Sequence, residues 1–196
     1  MSIAVKHATS SSTPSPAGLM TEEEFLERYG SESRIDLVDG VAVRYPMPSF
    51  KHGVAGNNFA VDLTNHVRTA RSGRVCNNDT FIRVKMDPIR IRGADIAFLS
   101  YAKWPAEADL PDGPMPATPE FVGEVKSPSD TWMQVFTKVL DYLDAGVQVI
   151  VVLDPATRTA TAYRADALQE TFRADSELVI PDLFPGFSVS VASLFQ

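Results

Sequence analysis

The stretch FVGEVKSPSD, residues 121–130, places Glu124 and Lys126 two positions apart in an apolar run that ends at a Ser-Pro pair. Successive side chains of a strand point to opposite sides, so these two charged groups share one face of the predicted strand. Charged side chains are seldom buried without a partner. The two residues are therefore either an ion pair or part of a functional site.

The sequence that follows this strand predicts a helix and then a second buried strand. Ser127 or Ser129 is placed to cap the helix, which ends at Gly146. Its apolar stripe is expected to contain Trp132, Val135, Phe136, Val139, Leu140 and Leu143. The run VQVIVVLD, residues 147–154, is apolar throughout, which is typical of a strand covered on both faces, and TATAYR then predicts a further strand.

The segments before residue 121 predict a helix, a hairpin, a long helix and two more strands. Thr21 and Glu24 form a capping-box pattern in TEEEFLERYG, and Asp39-Gly40 is a strong hairpin signal within RIDLVDGVAVRY. Apolar residues recur at helical spacing from His52 to about Arg71. The segments RVCNNDTFIRVKM and IRIRGADIAFLS predict strands, and residues 101–119, with five prolines, predict a surface loop. Residues 1–18, rich in Ser, Thr and Pro, predict a disordered tail, and residues 19–196 a single domain.

Composition restricts the classes of function. The formal net charge of −7 argues against proteins that coat nucleic acid or anionic membranes through charge alone. Cys76 is the single cysteine, so no internal disulfide can form and a reducing, cytoplasmic compartment is expected. No apolar stretch approaches the roughly 20 residues of a membrane span, so we expect no membrane partner.

A second carboxylate is expected beside Glu124. Asp95 begins the strand ADIAFLS, whose predicted partner is the strand that contains Glu124. Mg²⁺ prefers oxygen ligands and is commonly held by one or two carboxylates, with the rest of its shell supplied by a backbone carbonyl and water. Lys126 is then placed to hold an attacking water and to offset developing charge on a phosphoryl group. Two carboxylates gathered in this way are expected to repel each other when no metal is bound.

The order of these segments resembles the D...ExK signature of the PD-(D/E)XK nuclease superfamily, and within it the branch of restriction-endonuclease-like proteins named only as a domain of unknown function. The matching segments are MTEEEFLERYG, RIDLVDGVAV, His52, GADIAFLS, GEVKSPSD, the helix with Lys138 and Tyr142, AGV and VLDP. The resemblance implies an α/β fold with a central mixed sheet flanked by helices, preceded by an N-terminal helix and a β-hairpin. It also implies Mg²⁺-dependent hydrolysis of phosphodiester bonds, with Mn²⁺ as a substitute, and often a homodimer.

The resemblance assigns roles to single residues. Asp95, Glu124 and the carbonyl of Val125 are the expected metal ligands, Lys126 positions the water, and Asp36 assists where relatives carry a glutamate. Ala94 replaces the usual proline before the metal aspartate. We further assign four residues to contact with nucleic acid, expected to be DNA: Arg90, Arg92, His52 and Lys138.

Each assignment has a structural alternative. Glu124 and Lys126 can form a surface ion pair, and Asp95 can be a turn residue after Gly93. Asp36 can be a polar hairpin residue, His52 the start of a helix, and Lys138 a solvated helix charge. The alternative for the whole chain is a catalytically silent nucleic-acid-binding or assembly module that retains the nuclease fold.

Overall fold

Four helices and ten strands make up residues 18–196, the part of the chain that the computed structural model describes. The predicted tail, residues 1–18, lies outside the described residues except for Gly18. The helices are α1 (Glu22–Tyr29), α2 (Phe50–Ala70), α3 (Trp132–Asp144) and α4 (Val191–Leu194). The strands are β1 (Ile35–Val38), β2 (Val41–Arg44), β3 (Gly73–Met86), β4 (Ile89–Ser100), β5 (Phe121–Val125), β6 (Val149–Asp154), β7 (Thr159–Tyr163), β8 (Glu170–Phe172), β9 (Glu177–Val179) and β10 (Ser188–Ser190).

Eight of these strands form one mixed sheet in the order β2-β1-β4-β5-β6-β7-β8, with β3 paired to β4 outside this path. The long strand β4 joins the N-terminal hairpin to the rest of the sheet. It pairs with β3, with β1 at Ile91, and with β5 from Ile96 to Phe98. Strands β5 and β6 are parallel, whereas the other pairs are antiparallel. Helix α3 connects the two parallel strands, as such a crossover requires. The predicted central mixed sheet flanked by helices is confirmed.

The hydrophobic core lies on both faces of this sheet. Phe59 and Leu63 of α2 pack with Phe121 on one face, and Val135 and Val139 of α3 pack on the other. Strand β6 contributes to both: Val149, Val151 and Leu153 face the first cluster, and Ile150 and Val152 face the second. This confirms that the apolar run of β6 is buried on both sides, which explains why its sequence does not alternate.

Local signals placed the N-terminal elements correctly. Thr21 caps α1 and forms a complete capping box with Glu24. Asp39 and Gly40 join β1 to β2 with φ angles of 50° and 81°, the left-handed pair that a tight hairpin turn requires. The hairpin therefore follows from its turn residues alone.

Helix α3 departs from its prediction at two points. Its N-cap is Thr131, which forms a capping box with Gln134, rather than Ser127 or Ser129. Asp130 accepts a hydrogen bond from the backbone of Ser127 at 2.8 Å, and this turn displaces the start of the helix. The predicted apolar stripe is also only partly buried, because the contact face is centred on Val135 and Val139. The stripe residues Trp132, Phe136 and Leu140 remain 43%, 39% and 59% exposed.

Candidate active site

The sheet register brings two acidic residues together. Ile96 of β4 pairs with Gly123 of β5, so the next position along the antiparallel ladder sets Asp95 opposite Glu124. Both carboxylates line one small cavity of about 30 Å³, together with Val125, Lys126 and Lys138. The cavity is large enough for an ion or a water and too small for a nucleotide.

Glu124 is buried and receives a hydrogen bond on each carboxylate oxygen. The hydroxyl of Tyr142 donates to Oε1 at 2.7 Å, and the ammonium of Lys138 donates to Oε2 at 2.9 Å. Burial, with a smaller contribution from the charge of Asp95, raises the pKa of Glu124 to about 7 against the attraction of Lys138. Both donors come from α3, one helical turn apart, which places them on the same face.

Asp95 is held by a different set of groups. The backbone N–H of Val125 donates to its Oδ2 at 2.8 Å, and His52 Nε2 lies 3.3 Å from the same oxygen, although the ring N–H is not aligned for a good hydrogen bond. Arg34 Nη1 lies 3.6 Å from Oδ1. Burial alone would raise the pKa of Asp95, but His52 and Lys138 hold it below its ordinary value.

The expectation that the two carboxylates simply repel each other is therefore incomplete. Their repulsion contributes to the raised pKa of Glu124. Each carboxylate nevertheless has a cationic neighbour from the chain itself, Lys138 for Glu124 and Arg34 for Asp95. Both carboxylates of the site are therefore partly balanced by cationic side chains of the chain itself.

The two lysines of the cavity have different partners. Lys126 lines the cavity, but its ammonium donates to the carbonyl of Ser127 at 3.3 Å and lies 5.6 Å from the ring centroid of Trp132. Lys138, which we had assigned to nucleic acid, instead pairs with Glu124. The i, i+4 spacing of Lys138 and Tyr142 was visible in the sequence, but nothing local indicated that this face covers Glu124.

Asp36 lies outside the cavity and is bound by residues of β4. Its Oδ2 accepts from Arg92 Nη1 at 2.9 Å and its Oδ1 accepts from the backbone of Gly93 at 2.9 Å. Asp36 is 2% exposed and does not line the cavity of Asp95 and Glu124. Both of its oxygens are used to bind a neighbouring strand, so it anchors β1 to β4 and is not placed as a third acidic ligand.

Arg90 and Arg92, which are expected to contact nucleic acid, lie in ion pairs within the chain. Arg92 is 3% exposed and donates through Nε to Asp141 at 2.7 Å as well as to Asp36. Arg90 forms ion pairs with Asp39 and Asp141. Carboxylates of β1, of the hairpin turn and of α3 hold these guanidinium groups, so a phosphate would have to compete with them. His52 is likewise turned to Asp95 and is 6% exposed.

The donor set of the cavity fits a hard divalent cation. Within residues 18–196, no group of three or more His, Cys, Asp or Glu side chains is arranged as a metal site. Two opposed carboxylates with adjacent lone pairs still satisfy the usual demand of Mg²⁺, which takes most of its other ligands from water and carbonyl oxygen. Val125, the third expected ligand, lines the same cavity.

Comparisons with known proteins identify the family and the fold of the chain. Residues 22–192 match the model of the family Uma2, described as "Putative restriction endonuclease". A solved structure, that of a putative nuclease belonging to DUF820 from Anabaena variabilis, has a TM-score of 0.74 and 22% sequence identity, over 88% of this chain and 96% of that chain. At this identity the likeness shows the fold. No curated protein matches the chain.

The helices were also compared with the requirements of a membrane span. Between residues 18 and 196, no helix combines the length and the apolar character that crossing a membrane requires. The match to the family model spans most of the chain, from α1 to α4, and therefore includes Asp95, Glu124 and both lysines. The chain belongs to the Uma2 family of putative restriction endonucleases and has its nuclease-like fold.

Proposed function

We propose that this protein hydrolyses phosphodiester bonds of nucleic acid, with DNA as the expected substrate, in a reaction that depends on a divalent cation. One observation carries the proposal: the sheet register sets Asp95 opposite Glu124 at a cavity that two lysines also line. An ion pair on a solvated strand would not explain this, because Glu124 is 6% exposed.

The ligands in this proposal are Asp95, Glu124, the carbonyl of Val125 and water. Mg²⁺ is the expected cation and Mn²⁺ a substitute, since both take oxygen ligands. When bound, such a cation polarises a phosphoryl oxygen and lowers the pKa of a coordinated water. Tyr142 and Lys138 orient the carboxylate of Glu124, and Lys138 favours its ionised form.

Lys126 is the residue we propose to position the attacking water. Its side chain lines the cavity and its ammonium contacts no carboxylate of the described residues, so it remains available to a water or to a phosphoryl oxygen. Lys138 has a different role in this scheme, because its ammonium is held by Glu124 at 2.9 Å. A cation beside developing negative charge stabilises the transition state without moving.

A cleavage assay tests the proposal. Supercoiled, linear and single-stranded DNA, and RNA, are incubated with the protein in Mg²⁺, in Mn²⁺ or in EDTA. We expect cleavage of at least one substrate in either metal and none in EDTA. Asp95→Asn should abolish it, whereas Asp112→Asn, an exposed carboxylate of the loop between β4 and β5, should cleave as the wild type does.

Binding without cleavage in any metal would instead support a silent module that retains the fold. A turnover that Asp95→Asn leaves unchanged would point to a contaminating nuclease. Purification of the wild type and the variant side by side separates these outcomes.

The proposal also includes the cellular location and the oligomeric state of the protein. We propose a cytoplasmic location, because the chain has a single cysteine. We also propose a homodimer, and the exposed apolar residues of α3 support it: Trp132, Met133, Phe136 and Leu140 are all more than a third exposed. Sedimentation equilibrium tests the dimer, since Leu140→Ser should lower the average mass if this face is the interface and leave it unchanged otherwise.

A further inference from the structure

A second, larger pocket lies on the other side of Asp95. It has a volume of about 220 Å³, against about 30 Å³ for the cavity that Glu124 lines. The two spaces share Asp95 and Arg34 as lining residues, so they meet at the proposed metal ligand. We call the larger space the amide groove, after three of the residues that line it: Asn57, Asn77 and Asn78.

One wall of the amide groove is the first half of α2, where two glycines leave the helix surface without side chains. Gly53 and Gly56 line the groove, where side chains would otherwise fill it. A Cβ added at Gly53 would meet nothing within 4 Å, and one at Gly56 would meet only Val125 Cγ2 at 3.4 Å. Glycine lowers helix stability relative to alanine, so the two glycines destabilise this part of α2. Asn57, on the same stretch of helix, directs an exposed amide to the groove.

The opposite wall is an irregularity in β3. The register of β3 against β4 shifts between Asn77 and Thr80, and two successive residues, Asn78 and Asp79, have φ angles of 70° and 57°. Left-handed backbone at residues other than glycine is unfavourable and is often retained at binding sites. Asp79 is fixed by the backbone N–H of Arg34 at 3.3 Å, which leaves Asn77 and Asn78 exposed beside it.

The groove offers neutral amide groups and an unsatisfied ring nitrogen. None of the three asparagine side chains makes a hydrogen bond within residues 18–196, and His52 Nε2, buried at the groove, has no aligned partner there. Its one cation, Arg34, lies between Asp79 and Asp95. A phosphate would find no available charge in this groove. A flat, neutral group with donors and acceptors along its edge would find matching partners.

We infer that the amide groove binds an unpaired nucleobase next to the scissile phosphate, and that Asn57 and Asn78 recognise its edge. This inference rests on the proposed function, which places the phosphate at Asp95 and Glu124. Asparagine amides pair with base edges through one donor and one acceptor, as in the bidentate contact to adenine. Recognition through bases also suits a chain of net charge −7, whose affinity for phosphates alone would be low. A base can enter such a groove only when it is unpaired, so the substrate class is single-stranded or locally opened nucleic acid.

The test measures binding of short fluorescein-labelled DNA strands by anisotropy in EDTA, so that no cleavage occurs. The strands are homopolymers of each base and an abasic strand of equal length. We expect at least one homopolymer to bind about tenfold or more tightly than the abasic strand, as one good base contact provides. The double variant Asn57→Ala/Asn78→Gly should lose this preference and bind the abasic strand as the wild type does. Glycine is used at position 78 because it accepts the left-handed backbone.

Two further variants make the test specific. Asn65→Ala changes an exposed asparagine of α2 that does not line the groove, and it should keep the preference. Gly53→Leu should fill the groove and remove the preference, while raising the melting temperature by about 2 °C through better helix propensity. A loss of preference in a more stable protein is not caused by unfolding.

The outcomes separate this inference from the proposed function. If the double variant keeps the wild-type preference, or if homopolymers bind no better than the abasic strand, the inference is overturned even when metal-dependent cleavage is found. If the preference is lost as expected but no metal supports cleavage, the groove stands and the hydrolytic function fails.

Discussion

Replacing Arg92 by methionine tests whether this arginine is a core residue or a nucleic-acid contact. In the structure its guanidinium lies between Asp36 and Asp141 and is 3% exposed. Arg92→Met would leave Asp36 buried without its cation, and Asp141 would keep only Arg90. Breaking a buried ion pair in this way costs about 3–5 kcal/mol of the free energy of unfolding. With a urea m-value of about 2–3 kcal/mol/M for a chain of this size, the unfolding midpoint should fall by roughly 1–2 M.

The assay is urea denaturation followed by circular dichroism. Arg68→Met, an exposed arginine of α2, is the matched control and should change stability by less than about 0.5 kcal/mol. Adding Asp36→Asn and Asp141→Asn to Arg92→Met should recover part of the loss, because the stranded charges are then removed. A fall of less than about 1 kcal/mol, together with a flatter salt dependence of DNA binding, would refute the structural role and restore the phosphate contact expected from the sequence.

Three further predictions concern the site. Mg²⁺ or Mn²⁺ at a hundredfold excess over its dissociation constant should stabilise the fold by about 2.7 kcal/mol, a rise in melting temperature of about 5–10 °C. Glu124→Gln should remove most of this rise, and a Glu124→Gln protein whose melting temperature rises as in the wild type would exclude the metal site. The control Asp112→Asn changes an exposed carboxylate and should show the wild-type rise. Lys126→Ala should lower turnover about a hundredfold with little change in stability, and equal turnover would exclude its role. Lys138→Ala should lower both turnover and the urea midpoint, because Glu124 would lose its ammonium partner; a change in turnover alone would contradict the ion pair.

The elements of this fold were predictable where the signal was local. The capping box of Thr21, the Asp39-Gly40 turn and the apolar run of β6 each fix the structure within a few residues. The pairing of β4 with β5 was also predictable, because the second half of β4, ADIAFLS, and β5 are both largely apolar. Asp95 and Glu124 therefore lie together as expected from sequence.

The charged residues around the site were not predictable, because their partners are distant in sequence. Arg92 meets Asp141, 49 positions away, and Lys138 meets Glu124 only after α3 has packed on the sheet. From the sequence alone, a basic residue that contacts a phosphate cannot be distinguished from one that pairs with a distant carboxylate. The amide groove was not predictable for the same reason, since α2 and the irregular part of β3 approach each other only in the folded chain.

The donors around Asp95 and Glu124 have a consequence for how the protein would respond to its supply of metal. Tyr142, Lys138 and the N–H of Val125 already hydrogen-bond the carboxylate oxygens, so an arriving cation must share or displace them. In the proposed metal site, binding would then yield only the difference in free energy between two sets of contacts, so the affinity for the cation would be low. On the proposed function, the folded chain would persist through metal shortage, and the rate of hydrolysis would follow the ambient concentration of the ion in a graded manner.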